Sequence, residues 1–311
     1  MRSAFIKKLC EAARRDESLC LMVGDLGFSI VEPFAEQFPD RFLNAGIAEQ
    51  NMMSMAAGWS LAEKKTVFVY SIANFPTLRC LEQIRNDICY HKANVKIISA
   101  GGGLTYGSAG FSHYATEDLA IMRALPGMVV SAPADAYETV IITQLAIDTT
   151  GPFFVSLGKN NEPNIHRRLC AFELGEPIVY RDKGGILLIS TGTLAGEVLQ
   201  AAALLEESGT EVSVVGIPIL KPLNEERLKR ILDGKNVVVT VEEQTGFGGL
   251  GSVLSEIIAD NRLNIPLLRI HLPEFIDQVG SQDELRKFYK IDRDGVCLQI
   301  VEFMNQIYTN K

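Results

Sequence analysis

Short, β-branched apolar runs alternate along the chain with longer amphipathic ones. Residues 20–23, 66–70, 95–100, 128–132 and 153–157 are nearly continuous in apolar side chains, as strands buried on both faces are. Between them, residues 81–90, 116–125 and 134–149 have helical length and spacing, and Pro126-Gly127 and Gly151-Pro152 punctuate the ends. This alternation predicts an α/β fold, a mainly parallel sheet with helices on both faces. From residue 159 to 183 the pattern lapses into a stretch rich in Asn, Pro, Arg and Gly, which reads as a linker. Strands are then expected at 186–190, 212–217, 236–241 and 266–270. The first helix of this second half places Leu194, Val198, Ala202 and Leu205 on one side and stops at Gly209. The expected organisation is one α/β domain over residues 1–160, a linker at 161–183 and a second α/β domain over 184–311.

At 311 residues the chain is long enough for two cores, and 47% hydrophobic against 22% charged residues is a globular balance. A net charge of −8 gives no attraction to phosphodiester backbones or anionic lipid, which argues against nucleic acid and membrane surfaces as partners. Residues 1–15 mix Arg2, Lys7, Lys8 and Glu11 among apolar positions, so no secretory leader is expected there. No run reaches transmembrane length. Six cysteines (Cys10, Cys20, Cys80, Cys89, Cys170 and Cys297) stand far apart, without the close pairing of a zinc or redox motif. Reduced thiols in a cytoplasmic protein are the expectation.

Candidate chemistry concentrates in a few places. Gly46-Ile47-Ala48-Glu49-Gln50-Asn51-Met52 sets one carboxylate among apolar and amide side chains, where an extended segment at 41–44 gives way to a helical pattern. A carboxylate kept from water there would hold or trade a proton, whereas a surface glutamate at a helix start would only answer the macrodipole. The run Gly101-Gly102-Gly103-Leu104-Thr105-Tyr106-Gly107-Ser108-Ala109-Gly110-Phe111-Ser112-His113 follows a strand and precedes a helix, where parallel sheets bind ligands. Its five glycines allow close backbone approach, and His113 could donate to a substrate oxygen or cap the next helix. Gly246-Phe247-Gly248-Gly249-Leu250-Gly251 has the spacing of a dinucleotide fingerprint, but Glu242 and Glu243 would repel a pyrophosphate beside it. Tight helix-to-sheet packing or a subunit contact explains these glycines better. No Walker loop, HExxH, GxSxG or paired-cysteine metal site occurs.

In their order, Arg41 to Met52, Glu82-Gln83-Ile84-Arg85-Asn86-Asp87, Gly110-Phe111-Ser112-His113, Pro126-Gly127-Met128-Val129-Val130 and Pro133-Ala134-Asp135 resemble the C-terminal half of transketolase and its thiamine-diphosphate-dependent relatives. The resemblance runs over nearly the whole chain. It implies a pyrimidine-binding domain followed by the transketolase C-terminal domain, and transfer of a two-carbon ketol unit from a ketose to an aldose. Glu49 matches the glutamate that hydrogen-bonds a ring nitrogen of the cofactor's pyrimidine and promotes its imino form. Phe75 matches the aromatic on that pyrimidine, Ile72 replaces a second phenylalanine, and Arg79 joins the cofactor contacts. His113 matches the histidine at the donor's hydroxyls. Arg2 and Ser29 fall where relatives bind the sugar phosphate, and Lys159 stands for an arginine, keeping its charge without its bidentate fork.

Two departures bear on the substrate. Relatives usually carry an acid where Ala109 stands, and many a histidine where Gly101 stands, so the resemblance predicts a sugar other than the common pentose and hexose phosphates. The family's other half holds the diphosphate through magnesium with a Gly-Asp-Gly motif, and Gly24-Asp25-Leu26 is only a partial lookalike. The resemblance therefore implies a second subunit of a split transketolase. A separate N-terminal subunit would supply the magnesium and diphosphate site, around a self-associated core in a heterotetramer. The beta subunit of a 2-oxo acid dehydrogenase shares the domain order, deoxyxylulose phosphate synthase joins both halves in one chain, and a non-catalytic nucleotide-binding regulator is the alternative from another class.

Overall fold

A computed structural model describes residues 1–159, 162–168 and 171–309, with backbone alone at residue 308. The N-terminal part runs α1 (Arg2–Ala13), β1 (Leu19–Val23), α2 (Glu32–Gln37), β2 (Phe42–Asn44), α3 (Glu49–Glu63) and β3 (Thr66–Ile72). It continues through α4 (Leu81–Gln83, prolonged as a π-helix over Ile84–Cys89), β4 (Val95–Ala100), α5 (Asp118–Ala124), β5 (Val129–Ser131), α6 (Ala136–Asp148) and β6 (Phe153–Leu157). The second part contains β7 (Ile178–Arg181), β8 (Ile186–Ser190), α7 (Ala195–Glu207), β9 (Val212–Gly216), β10 (Ile219–Lys221) and α8 (Glu225–Leu232). It closes with β11 (Val237–Thr245), α9 (Leu250–Asp260), β12 (Leu267–Leu272), α10 (Gln282–Phe288) and α11 (Arg293–Thr309).

The first sheet has the order β10-β5-β6-β4-β3-β1-β2, and the second β12-β11-β8-β9-β7. Pairing is parallel except at two edges, β10 on β5 and β7 on β9. Strands β1, β4 and β6 are buried along their whole length, which is why they read as apolar runs rather than alternations. The helices begin where polar caps allow. Asp135 accepts from the Glu138 N–H at the start of α6 at 2.9 Å, and Ser281 and Glu284 form a reciprocal capping box on α10.

Two strands depart from the expected pattern. The linker expected over 161–183 carries β7 at its end, a four-residue edge strand whose Val179 is 41% exposed and whose apolar stretch, Ile178–Tyr180, is shorter than the other runs; residues 161, 169 and 170 of that linker, Cys170 among them, lie outside the described residues. The remaining five cysteines are free thiols. Strand β10 comes from the second half but pairs with β5, matching Ile219 to Ser131 and Lys221 to Val130. Lys221 also crosses to the first half, where its ammonium donates to Arg123 O at 2.8 Å and Leu125 O at 2.6 Å, at the end of α5.

One apolar core runs through both halves, from Met22, Met52 and Val67 to Leu187, Val215 and Leu250. A second covers the other face of the first sheet under α1 and α6, and a third lies beneath α7 and α11. A polar seam crosses the junction. Asp118, 2% exposed, accepts from Ser156 Oγ (2.9 Å), Gln244 Nε2 (2.9 Å) and the Leu119 N–H (2.8 Å). Burial pushes its carboxyl up from 3.8 to about 6 despite these donors. A carboxyl whose folded value is raised contributes stability that is complete below the unfolded value and lost as pH rises through the folded one. Asp118→Asn removes that loss. The stability difference between variant and native chain, measured by urea unfolding at a series of pH values, is expected to move in favour of Asn by about 2.5 kcal/mol between pH 4 and pH 8. A flat difference would contradict the assignment.

Candidate active site

The candidate residues collect at the carboxyl ends of the parallel strands, the edge where such sheets bind ligands. Strand β2 leads through Ala45–Ala48 to Glu49, the first residue of α3. The position is a helix start, yet Glu49 is 2% exposed, so both readings of it meet in one side chain. Its aliphatic part lies over Gly24 at the end of β1, where an added Cβ would sit 3.4 Å from Glu49 Cγ. Arg79 Nη1 donates to Glu49 Oε2 at 2.9 Å. Among the described residues Oε1 has no hydrogen-bond partner.

From Glu49 the contacts run on in a line. The Arg79 guanidinium carbon stands 4.4 Å from the centre of the Phe75 ring, and Phe75 meets the His113 ring edge-on at 5.2 Å. Tyr106 follows 6.3 Å from His113, and Lys159 Nζ lies 5.1 Å from the Tyr106 ring centre. Burial pushes the phenols of Tyr70 (to about 12) and Tyr106 up, and the nearby Arg2 guanidinium offsets part of both shifts. Five of the expected residues, Glu49, Arg79, Phe75, His113 and Lys159, thus share one wall, with Arg2 at its far end. Ile72 ends β3 and accepts from the Phe75 N–H at 3.1 Å, which places it beside the aromatic. Ser29 is exposed in the loop after β1, its N–H held by Glu32 Oε1 at 2.7 Å, and among the described residues no hydrogen bond or ring contact joins it to the others.

His113 ends a 3₁₀ turn, Phe111–His113, with Nδ1 3.0 Å from Ser112 Oγ. The glycines before it pack against protein. A side chain at Gly101 would run into the Tyr106 ring, and one at Gly102 into Ser156. At Gly103 an added Cβ would fall 2.7 Å from Glu243 Cγ, and at Gly107 2.5 Å from Gly280 O. Tyr106 was legible as a member of the loop but had no role in the sequence pattern, because only the fold shows that it fills the space above Gly101.

The second glycine run is also occupied from within. The buried Glu242 carboxylate accepts from the N–H groups of Leu250 (2.7 Å) and Gly251 (2.8 Å) at the start of α9. Burial there lifts its carboxyl to about 7. The helix N-terminus that a pyrophosphate would need is thus filled by the chain's own carboxylate, and Gly251 packs on Arg269. Tight packing accounts for this run.

The wall suits one end of thiamine diphosphate. A buried carboxylate with one open oxygen, an aromatic face and a cationic neighbour match a pyrimidine ring that offers an N–H and a flat apolar surface. The residues fit the group.

Comparison with known proteins identifies the family. Residues 1–164 match the transketolase pyrimidine binding domain and residues 175–296 the transketolase C-terminal domain. A Methanocaldococcus jannaschii protein, provisionally named a transketolase C-terminal section, is 38% identical over 98% of this chain and 96% of its own length. A protein of Phocaeicola vulgatus named as one of the subunits of an apulose-4-phosphate transketolase is 31% identical over 98% of this chain and 97% of its own. Among solved structures, a split-gene transketolase described as an inactive beta4 tetramer superposes with a TM-score of 0.87 at 34% identity, over 97% of this chain and 96% of that one. The chain belongs to the transketolase family and carries its pyrimidine-binding and C-terminal domains.

Proposed function

We propose that the chain is the second subunit of a split, cytoplasmic transketolase, which moves a two-carbon ketol unit from a ketose or ketose phosphate to an aldose. Thiamine diphosphate is its cofactor, and an N-terminal subunit with a Gly-Asp-Gly motif holds most of the diphosphate and magnesium site. Self-association of this chain forms the core of a heterotetramer. The observation that carries the reading is the open oxygen of a buried Glu49, linked through Arg79 and Phe75 to His113.

When bound, thiamine diphosphate supplies a nucleophilic carbon able to break the bond beside a ketose carbonyl. Glu49 would take a hydrogen bond at Oε1 from the pyrimidine, while Arg79 holds the other oxygen in place. Phe75 and Ile72 would wall the ring from water. His113, at the far edge of Phe75, would orient the hydroxyls near the reacting carbon. Arg2 and Lys159, both beside Tyr106, would face the anionic end of the sugar, with Ser29 on the neighbouring loop. Ala109 offers no acid to read a hydroxyl, and Tyr106 closes the space above Gly101, which supports a sugar outside the common pentose and hexose phosphates.

The test is reconstitution. The chain and its N-terminal partner are mixed with thiamine diphosphate, magnesium and a panel of ketose phosphates and aldoses, and ketol transfer is followed by product analysis. Transfer that disappears when any one component is omitted is the expected result. Absence of transfer from every sugar, with binding of a dinucleotide instead, would overturn the proposal in favour of a regulatory subunit.

A further inference from the structure

We propose that Glu243, in the C-terminal domain, is a positioning residue that fixes the glycine loop carrying His113. The inference rests on the transketolase reading for its kinetic consequence and on geometry alone for the brace itself. Glu243 lies near the end of β11 and is 8% exposed. Arg286, from α10, grips both carboxylate oxygens, Nε to Oε1 at 3.2 Å and Nη2 to Oε2 at 2.7 Å. Gln282 Nε2 donates to the same oxygens at 3.1 Å each and stands 3.3 Å from Thr105 Oγ1. Thr105 Oγ1 in turn donates to Gly102 O at 2.6 Å. The stem of Glu243 rests on Gly103, at a position where only a glycine leaves room for it.

The same segment of the C-terminal domain closes on the loop twice more. The Tyr114 hydroxyl lies 2.6 Å from Gln278 O and 3.0 Å from Gly107 O, and Gly280 N donates to Gly107 O at 3.4 Å. His113 thus sits on a span whose two flanks, Thr105–Gly107 and Tyr114, are both tied to the segment 278–286. Such ties matter because a loop this rich in glycine loses much backbone freedom when it adopts one shape, and Gly101, Gly103 and Gly110 hold positive φ of 101°, 60° and 80°. The planar fork of Arg286 fixes the direction of the Glu243 carboxylate, so the brace sets where the loop lies as well as how firmly it is held. His113 reaches Phe75 from that span, and a shift of about 1 Å at such a residue can cost a hundredfold in rate.

Two variants test the brace, Glu243→Gln and the milder Gln282→Ala, which leaves the Glu243 and Arg286 pair intact. In the full-length chain, hydrogen exchange of peptides spanning 101–114 is expected to rise at least about fivefold, while peptides from α3 exchange as before. In the reconstituted enzyme, KM for the sugar donor is expected to rise and kcat to fall, with kcat/KM lower by roughly ten- to a hundredfold. Affinity for thiamine diphosphate, read by calorimetry, should stay unchanged, because Glu49 begins α3 and Phe75 lies in the turn after β3, both outside the braced loop. Loop exchange at the native rate in both variants would overturn the brace, as would faster exchange with unaltered kinetics for the positioning role. If Glu243→Gln does not fold, Gln282→Ala decides both points. If the native assembly shows no ketol transfer, the transketolase reading fails while the exchange measurement still judges the brace.

Discussion

Glu49→Gln is expected to lower kcat of the reconstituted enzyme by about 10²- to 10⁴-fold, the range typical of losing a positioned proton-transfer group. The amide keeps the size of the side chain, and its oxygen can still accept from Arg79, so the wall from Arg79 to Phe75 and His113 should persist. What it loses is the negative charge that a pyrimidine N–H would meet at Oε1. Arg79 is 45% exposed, and a pair with one solvated member contributes only about 0–1 kcal/mol, so the melting temperature should barely move. Cofactor loading is measured separately by calorimetry, because an empty site would imitate a catalytic defect. Turnover at the native rate in a fully loaded Glu49→Gln enzyme would remove the role assigned to this carboxylate.

Glu138→Ala is expected to destabilise the chain by about 3–5 kcal/mol, a large part of the 5–15 kcal/mol that usually holds a domain. Glu138 is fully buried in α6 and gathers three donors: the Ala134 N–H at 2.7 Å, the Tyr180 hydroxyl at 2.7 Å and His166 Nε2 at 2.9 Å. Its neighbour Asp135 takes the backbone N–H groups of Ile165 and His166, each at 3.0 Å. Two carboxylates thus fasten the chain leading into the second half and strand β7 to one helix start. Removing Glu138 takes the shared acceptor away from the buried Ala134 N–H and from the partly buried Tyr180 hydroxyl and His166 ring, and the urea midpoint should fall at an unchanged m value.

The same site makes stability depend on pH. The hydrogen bond to Glu138 raises the His166 value above 6.5, burial opposes it, and the charges of Glu138 and Asp135 add to the rise. A raised folded value means that the imidazolium's contribution is complete below 6.5 and fades as pH rises through the folded value. Glu138→Gln, which keeps the hydrogen-bonding size but not the charge, should therefore cost most near pH 5 to 6 and less at pH 9. A cost independent of pH would exclude an ionised partner for His166.

The apolar runs at 95–100 and 153–157 are strands at those residues; burial on both faces erases the alternation, and their short length beside Gly101 and Gly151-Pro152 is what marks them. Residues 81–90 have the expected helical length, but only Leu81–Gln83 is α-helical and Ile84–Cys89 is a π-helix, a difference of one residue in the hydrogen-bond step that spacing does not encode. The glycines at 101–107 were legible as a special backbone, but which of the chain's own groups occupy the room they leave was not. Gly103 makes room for Glu243 and Gly107 for Gly280, both more than a hundred residues away.

By itself the sequence determined the alternation of strands and helices, the carboxylate at a strand-to-helix junction and the family to which the residue order belongs, since each is written in neighbouring positions or in chemistry that one residue type supplies. Tertiary structure alone decided that β10 would complete the first sheet, that Tyr106 would stand over Gly101 and that Glu243 would hold the loop of His113. Those outcomes depend on burial and hydrogen bonding between residues far apart in the chain, where the free energy comes from surfaces that meet only after folding and no local period records which will meet.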